Sequence, residues 1–208
     1  MNMRNAAGIM ALATLCLLGP AGVCRGAEPV YTKYNIHVQM EVSRKGEKSY
    51  QASYSGWIDP GKDHAIVPAN TKVVYEPATG PVWTKFSQNK AFRLVVTDPA
   101  AIGLQAGTIS FEFNPKNMAM TEAEYLQLIT SPTPVSLEGL SGKDREGITS
   151  GKVSEGMTKR GVMTALGYPA AHRTPNPDAD SVWVYWRDRF KTVSVSFDSQ
   201  GKVERLNY

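Results

Sequence analysis

The sequence is poor in cysteine. Its 208 residues include only Cys16 and Cys24, and both lie within the first 27 residues. If that segment is removed, the rest of the chain has no cysteine, which excludes disulfide bonds, a thiol nucleophile and a zinc–thiolate site. In other respects the composition is typical of a globular protein, with 42% hydrophobic and 20% charged residues.

Long apolar runs are also missing beyond the first 27 residues, where no stretch reaches the roughly 18 residues needed to span a bilayer. The first 27 residues are typical of an export signal, because Arg4 precedes an uncharged, largely apolar stretch over 6–18. We expect cleavage after position 26 or 27 and a periplasmic or secreted mature protein. The alternative is a lipid anchor at Cys24, although lipoprotein signals have a small residue where this chain has Val23.

A strong excess of charge of one sign is absent. The whole chain has 23 basic and 19 acidic residues, and without its first 27 residues it has 21 basic and 19 acidic. An excess this small does not indicate a partner such as nucleic acid.

Catalytic motifs are likewise absent. The sequence has neither a G-x-S-x-G elbow nor an H-E-x-x-H motif. The three histidines, His37, His64 and His172, are far apart with no ligand spacing between them. We therefore predict a protein that is not an enzyme and has neither a cofactor nor a metal site.

Residues 28–130 have the pattern of a β-rich domain. Over 36–42, apolar residues alternate with polar ones, which predicts a half-buried strand. Turns rich in Pro, Gly and Asp separate further predicted strands at 49–58, 64–67, 72–75, 91–97 and 108–113. Short strands at this spacing predict a small antiparallel barrel or sandwich.

A helix is predicted after these strands. Thr121 and Glu124 have the spacing of a capping box, and the helix should run to about Ile129. The following Thr-Ser-Pro-Thr-Pro segment predicts a domain boundary, so 131–147 is expected to be a linker with a short helix at 141–149.

Residues 148–208 have the pattern of a second, smaller module. Thr158 begins a helix predicted to end at Leu166, where Gly167 and Pro169 follow. Three strands are predicted after it, at 182–187, 190–197 and 202–206.

This C-terminal part resembles the BamE (SmpA/OmlA) family. The matching motifs are Gly156-Met157-Thr158, Val162, Leu166-Gly167-Tyr168-Pro169, Trp183-Val184-Tyr185, Val195-Ser196-Phe197-Asp198 and Gly201-Lys202-Val203. The resemblance implies an α+β module with two helices on a three-stranded antiparallel sheet, an arrangement shared with β-lactamase inhibitor proteins. It also implies an envelope protein that works by protein binding, as an accessory or scaffold in outer-membrane assembly with peripheral membrane association.

Most motif residues should have structural roles at helix ends and in the core. These residues are Gly156, Thr158, Val162, Leu166, Gly167, Pro169, Phe197 and Gly201. Binding candidates are the aromatic and basic residues of one predicted strand and its turn, which are types that dominate interface energies. They are Trp183, Tyr185, Trp186, Arg187, Arg189 and Phe190.

Both faces of that strand are apolar, so one of them should meet either the N-terminal region or a partner protein. Two alternative functions stay open. One is inhibition or binding of an envelope enzyme, and the other is cell-wall hydrolysis through carboxylates such as Asp59, Asp63 or Glu124.

Overall fold

The computed structural model describes residues 28–59, 61, 63–77, 91–188 and 190–208. The predicted export signal with both cysteines and the candidate Arg189 lie outside these residues. The described chain is a mixed α+β structure with eleven strands in two sheets and four helices.

The larger sheet contains the first eight strands. These are β1 (Val30–Thr32), β2 (Ile36–Val42), β3 (Lys48–Ser53), β4 (His64–Val67), β5 (Lys72–Glu76), β6 (Ala91–Val96), β7 (Thr108–Glu112) and β8 (Thr130–Ser131). Their order is β4-β2-β3-β7-β6-β5-β1-β8. All neighbours are antiparallel except β3 and β7, which are parallel. The expectation of a purely antiparallel region is therefore wrong at the centre of the sheet, because β3 and β7 are joined by a long excursion instead of a hairpin.

This sheet is curled, and the length of one connection requires the curl. Residues 33–35 join β1 to β2, although five strand spacings separate these strands in the sheet order. In a flat sheet that separation would be about 24 Å, whereas the four Cα steps from Thr32 to Ile36 span at most about 14 Å. The region is thus one curled sheet, which excludes the alternative of a two-sheet sandwich.

Two short helices follow β7, namely α1 (Pro115–Met118) and α2 (Glu122–Ile129). The predicted capping box is confirmed, because Thr121 Oγ1 accepts from the Glu124 amide and the Glu124 carboxylate accepts from the Thr121 amide. Tyr125 and Ile129 of α2 are buried in the core inside the curl. The Tyr125 ring lies 5.1 Å from that of Phe113, so this helix is fixed by aromatic contacts with the sheet.

Part of the segment predicted as a linker belongs to the first sheet. Thr130–Ser131 forms β8, which pairs with β1, so the first residue of the segment 131–147 belongs to the first sheet. Farther along, Asn70 both donates to and accepts from the backbone of Val135. Arg160 donates to the carbonyl oxygens of Ser136 and Glu138.

The C-terminal module contains α3 (Gly142–Ser150), α4 (Lys159–Leu166), β9 (Val182–Trp186), β10 (Thr192–Phe197) and β11 (Val203–Asn207). Its sheet is antiparallel, with the order β11-β10-β9. Along β10, Val193, Val195 and Phe197 are buried in one core with Val162 and Leu166 of α4. The helix at 141–149 and the helix at 158–166 are confirmed to within one residue.

A buried carboxylate links the two helices of this module. Asp144 is fully buried and accepts hydrogen bonds from the amides of Ser141 and Thr158, at 3.0 and 2.8 Å. Ser141 and Thr158 are the N-caps of α3 and α4, so one carboxylate satisfies both helix starts. A side chain at Gly161 would overlap this carboxylate. The sequence analysis did not identify Asp144.

The motif residues occupy the structural positions expected of them. Val162, Leu166, Pro169 and Phe197 are buried, and Thr158 caps α4. Gly156, Gly167 and Gly201 have positive φ angles of 83°, 86° and 71°. At Gly167, the combination with a ψ of −179° is one that only glycine adopts readily.

Candidate functional site

The two sheets meet at a junction that contains main-chain hydrogen bonds. The Asn35 amide donates to the carbonyl of Thr164 at 2.8 Å, and its side chain donates to the carbonyl of Ile148 at 2.7 Å. Asn35 lies between β1 and β2, whereas its acceptors belong to α4 and α3. The first sheet is thus attached to both helices of the C-terminal module.

A second set of bonds lies beside β9. The amides of Ile58 and Asp59 donate to the carbonyls of Trp186 and Arg187, at 2.9 and 2.8 Å. These two bonds attach the loop after β3 to the end of β9. The predicted strand 49–58 stops at Ser53, because the chain turns at Gly56 and Trp57, both of which have positive φ.

Two of the six binding candidates are core residues. Trp183 and Tyr185 are each 1% exposed and lie on the inner face of β9. The Trp183 indole donates to the carbonyl of Pro177 at 2.9 Å, and the Tyr185 hydroxyl donates to that of Gly167 at 3.1 Å. Their polar atoms are satisfied inside the chain, so neither side chain offers a surface to a partner.

Trp186 lies on the opposite face of β9 and packs against the core of the first sheet. Its ring centroid is 6.4 Å from that of His172 and 5.9 Å from the guanidinium of Arg173. This face of β9 was expected to meet either the N-terminal region or a partner protein. For Trp186, the contact is with the N-terminal region.

Arg187 and Phe190 are the candidates at the surface. Arg187 forms a 2.9 Å ion pair with Asp59, and its guanidinium lies 5.2 Å from the centre of the Tyr208 ring. Phe190 is 86% exposed at the tip of the β9–β10 hairpin. We call Arg187, Asp188, Phe190 and Lys191 the hairpin tip.

Asp188 orders the hairpin tip. Its carboxylate accepts from the amides of Phe190 and Lys191, at 2.7 and 3.0 Å, and these bonds lower the pKa of the side chain. The bonds to Asp188 hold Phe190 and Lys191 in the turn. The strand β10 therefore begins at Thr192 and not at the predicted position 190.

A groove of about 420 Å³ lies next to the hairpin tip, where the first sheet, α3 and the second sheet meet. We call it the junction groove. Its polar or charged lining residues are Asp59, His64, Ser150, Lys152, Arg187 and Tyr208, and its other lining residues are Ile58, Ile66, Gly151, Val153, Leu166 and Val193. A concave, largely apolar site with a few polar groups is the usual form of a ligand site.

The structure brings two histidines together at this groove, although they are 27 positions apart in sequence. The Nδ1 of His37 is 2.9 Å from the Nε2 of His64, and the His37 Nε2 is 3.0 Å from the carbonyl oxygen of Ala165. A carbonyl can only accept, so the His37 Nε2 carries the hydrogen and its Nδ1 accepts from His64. The Nδ1 of His64 is then left as an acceptor.

Burial controls the charge of this pair. It lowers the pKa of His37 to about 4 and also lowers the pKa of His64. Both rings are consequently neutral at pH 7, and a neutral His37 is what the shared hydrogen bond requires. The proximity follows from the antiparallel register of β2 and β4, in which His37 is opposite Ile66 and Gln39 is opposite His64. Sequence alone did not predict that these two strands pair.

The carboxylates considered for hydrolysis have other partners or lie apart from the groove. Asp59 is paired with Arg187. Glu124 caps α2, and the hydrogen bond from the Thr121 amide lowers its pKa, which is opposite to the change that a general acid needs. Asp63 lies in the turn before β4. Within the described ranges, no group of three His, Cys, Asp or Glu residues is arranged to hold a metal ion.

None of the helices in the described part of the chain has the length and apolar character needed to cross a membrane. A scan against protein-family models, a search of curated proteins and a search of solved structures each find no match to this chain.

Proposed function

We propose that this chain is an exported envelope protein that acts by binding another protein, and that the hairpin tip is its main contact. The observation that carries the proposal is the 86% exposure of Phe190 on a turn fixed by the Asp188 carboxylate. Burying a phenylalanine at an interface contributes about 1.5–3 kcal/mol. A side chain already presented on an ordered turn loses little backbone entropy when it binds.

The charges around Phe190 favour a protein partner with an acidic rim around an apolar pocket. Lys191 belongs to the same turn, the charge of Asp188 is engaged by two amides, and Arg187 is paired with Asp59. Aromatic side chains are among the types that most often dominate interface energies. The hairpin tip therefore combines an apolar anchor with a lysine at its edge.

We further propose that residues 148–208 form a BamE-like module and that the protein serves as a scaffold or accessory in outer-membrane assembly. The element order α3-α4-β9-β10-β11 and the burial of the motif residues support this proposal. The export signal proposed for residues 1–27 is consistent with such a location.

The binding proposal is tested by substituting Phe190→Ser and capturing partners from an envelope extract. We expect the variant to retain at most about one tenth of the partner captured by the wild type, because loss of a hot-spot anchor costs about 2 kcal/mol or more. Val42→Ser is the matched control, since Val42 is also an exposed apolar side chain, at 58%, on β2. Equal capture by both variants would contradict the proposal.

The location is tested by the intact mass of the protein purified from its own envelope. We expect an N-terminus at residue 27 or 28 with no added mass. A chain beginning at Cys24 with attached acyl groups would instead establish a lipid anchor.

A further inference from the structure

The outer edge of β4 carries main-chain hydrogen-bonding groups that point away from β2, and residues of this edge line the junction groove. The Met40 amide donates to the Asp63 carbonyl at 3.0 Å, which makes this pair hydrogen-bonded in the β2–β4 register. Such pairs alternate along an antiparallel ladder. The amides and carbonyls of His64 and Ile66 therefore point away from β2, and β4 is the terminal strand of the sheet among the described strands.

The same two residues line the junction groove. Beside them lies an apolar floor that includes Ile58, Val153 and Leu166. An exposed strand edge next to an apolar groove has the two features that bind an extended peptide: main-chain partners for affinity and a place for alternate side chains. Arg187 of the hairpin tip also lines the groove, whereas Phe190 is not one of its lining residues.

The polar groups of the groove also match a peptide. While the His64 ring is neutral, its Nδ1 carries no hydrogen and can accept an N–H from the ligand. Lys152 is exposed on the rim and can donate to a carbonyl or carboxylate. A peptide backbone supplies both kinds of group, and an acidic side chain would complement Lys152.

We propose that the junction groove binds an extended segment of a partner protein, which adds to the outer edge of β4. The segment has apolar residues at alternate positions, directed to the groove floor, and an acidic residue near Lys152. The volume of about 420 Å³ falls within the range of about 300–1,000 Å³ usual for ligand sites. This inference rests on the proposed function, because it specifies how a partner protein is recognised.

The probe is a displayed library of random heptapeptides, selected on the full chain, followed by synthesis of the enriched peptides. We expect alternating apolar residues with at least one acidic residue. Binding should weaken tenfold or more with Lys152→Glu, which changes only an exposed side chain. Lys45→Glu, in the exposed turn between β2 and β3, should change affinity less than twofold.

Backbone methylation of the enriched peptide tests strand addition itself. Only every second amide of an added strand faces the sheet edge. N-methylation at one set of alternate positions should therefore abolish binding, and methylation at the other set should leave it nearly unchanged. Equal binding by both methylated peptides would overturn strand addition in favour of a small amphipathic ligand.

Three further results would overturn the inference: no enriched peptide, enrichment unaffected by Lys152→Glu, or a concentration-dependent dimer of the wild type that Lys152→Glu dissociates. The last result would identify a second copy of the chain as the occupant. The test of the junction groove and the test of the hairpin tip can fail independently. If Phe190→Ser loses its partner while no peptide is enriched, only the groove proposal fails; if peptides bind and Phe190→Ser captures normally, only the hairpin proposal fails.

Discussion

The two sheets of this molecule are built from contacts of different range. In the C-terminal module, β9, β10 and β11 pair in chain order, and α3 and α4 are joined by one short loop. In the first sheet, some neighbours are consecutive but others come from distant parts of the chain: Tyr31 pairs with Ser131, and Tyr50 pairs with Ile109. The C-terminal module can form from local contacts, whereas the first sheet requires closure of long loops.

The difference extends to what holds each region in place. A single carboxylate, Asp144, organises the helix starts of the C-terminal module. The first sheet is stabilised by packed aromatic side chains. Among them are Phe92 and Phe111, which stack with their ring centroids 4.9 Å apart. Since the junction bonds of Asn35 join the regions, we expect both to unfold in one transition.

The largest expected effect is in the C-terminal module. Asp144→Ala removes the acceptor for the Ser141 and Thr158 amides in a fully buried site, and we expect the free energy of unfolding to fall by about 3–4 kcal/mol. Denaturant unfolding measures this loss. Asp198→Ala is the control, because Asp198 makes similar bonds to two amides in an exposed turn and should cost about 1 kcal/mol. Similar losses for the two variants would refute the role given to burial.

The next effect is at the junction between the regions, and it depends on pH. The pKa of His37 is about 4 in the folded chain and about 6.5 when unfolded, so the unfolded state binds a proton first as pH falls. The stabilisation is complete above about pH 6.5 and decreases toward pH 4. Between pH 7.5 and 4.5 we expect a loss of about 2–3 kcal/mol from this group.

His37→Asn isolates that contribution. Its unfolding free energy should vary less with pH than that of the wild type, whereas His172→Asn, which alters a histidine outside the pair, should preserve most of the dependence. If His37→Asn and the wild type have the same pH dependence, His37 does not titrate as described.

The smallest effect concerns the end of α4. Gly167→Val forces a branched side chain into a φ of +86°, and we expect a cost of about 2 kcal/mol, which lowers the melting temperature. Thermal unfolding measures it. Gly139 also has a positive φ, of 75°, but lies in an exposed loop, and a valine there should cost less because that loop can readjust. An unchanged melting temperature for Gly167→Val would show that the helix end adapts.

The range of contacts explains how much the sequence could predict. The α4 N-cap at Thr158 and the α2 capping box are set by residues a few positions apart, and both are confirmed. The parallel pairing of β3 with β7 and the incorporation of Thr130–Ser131 into the first sheet are set by partners far along the chain. No local pattern specifies those partners.

The candidate site shows the same division. Sequence composition singled out Phe190 and Arg187, which are at the surface, but it also selected Trp183 and Tyr185, which are buried. Aromatic residues suit both interfaces and cores, so their identity alone cannot separate the two. The histidine pair and the junction groove depend on the β2–β4 register and on contacts between the regions, and the sequence analysis found neither.

The connection over residues 33–35 makes the curl of the first sheet a fixed property of the covalent chain. The link over 68–71 joins β4 to β5 and imposes the same limit, since five strand spacings also separate those strands. Flattening the sheet would require both links to be longer than their fully extended length. The strands that these links join therefore cannot move apart while the sheet keeps its pairing. Access to the interior of the curl therefore cannot come from unrolling of the sheet.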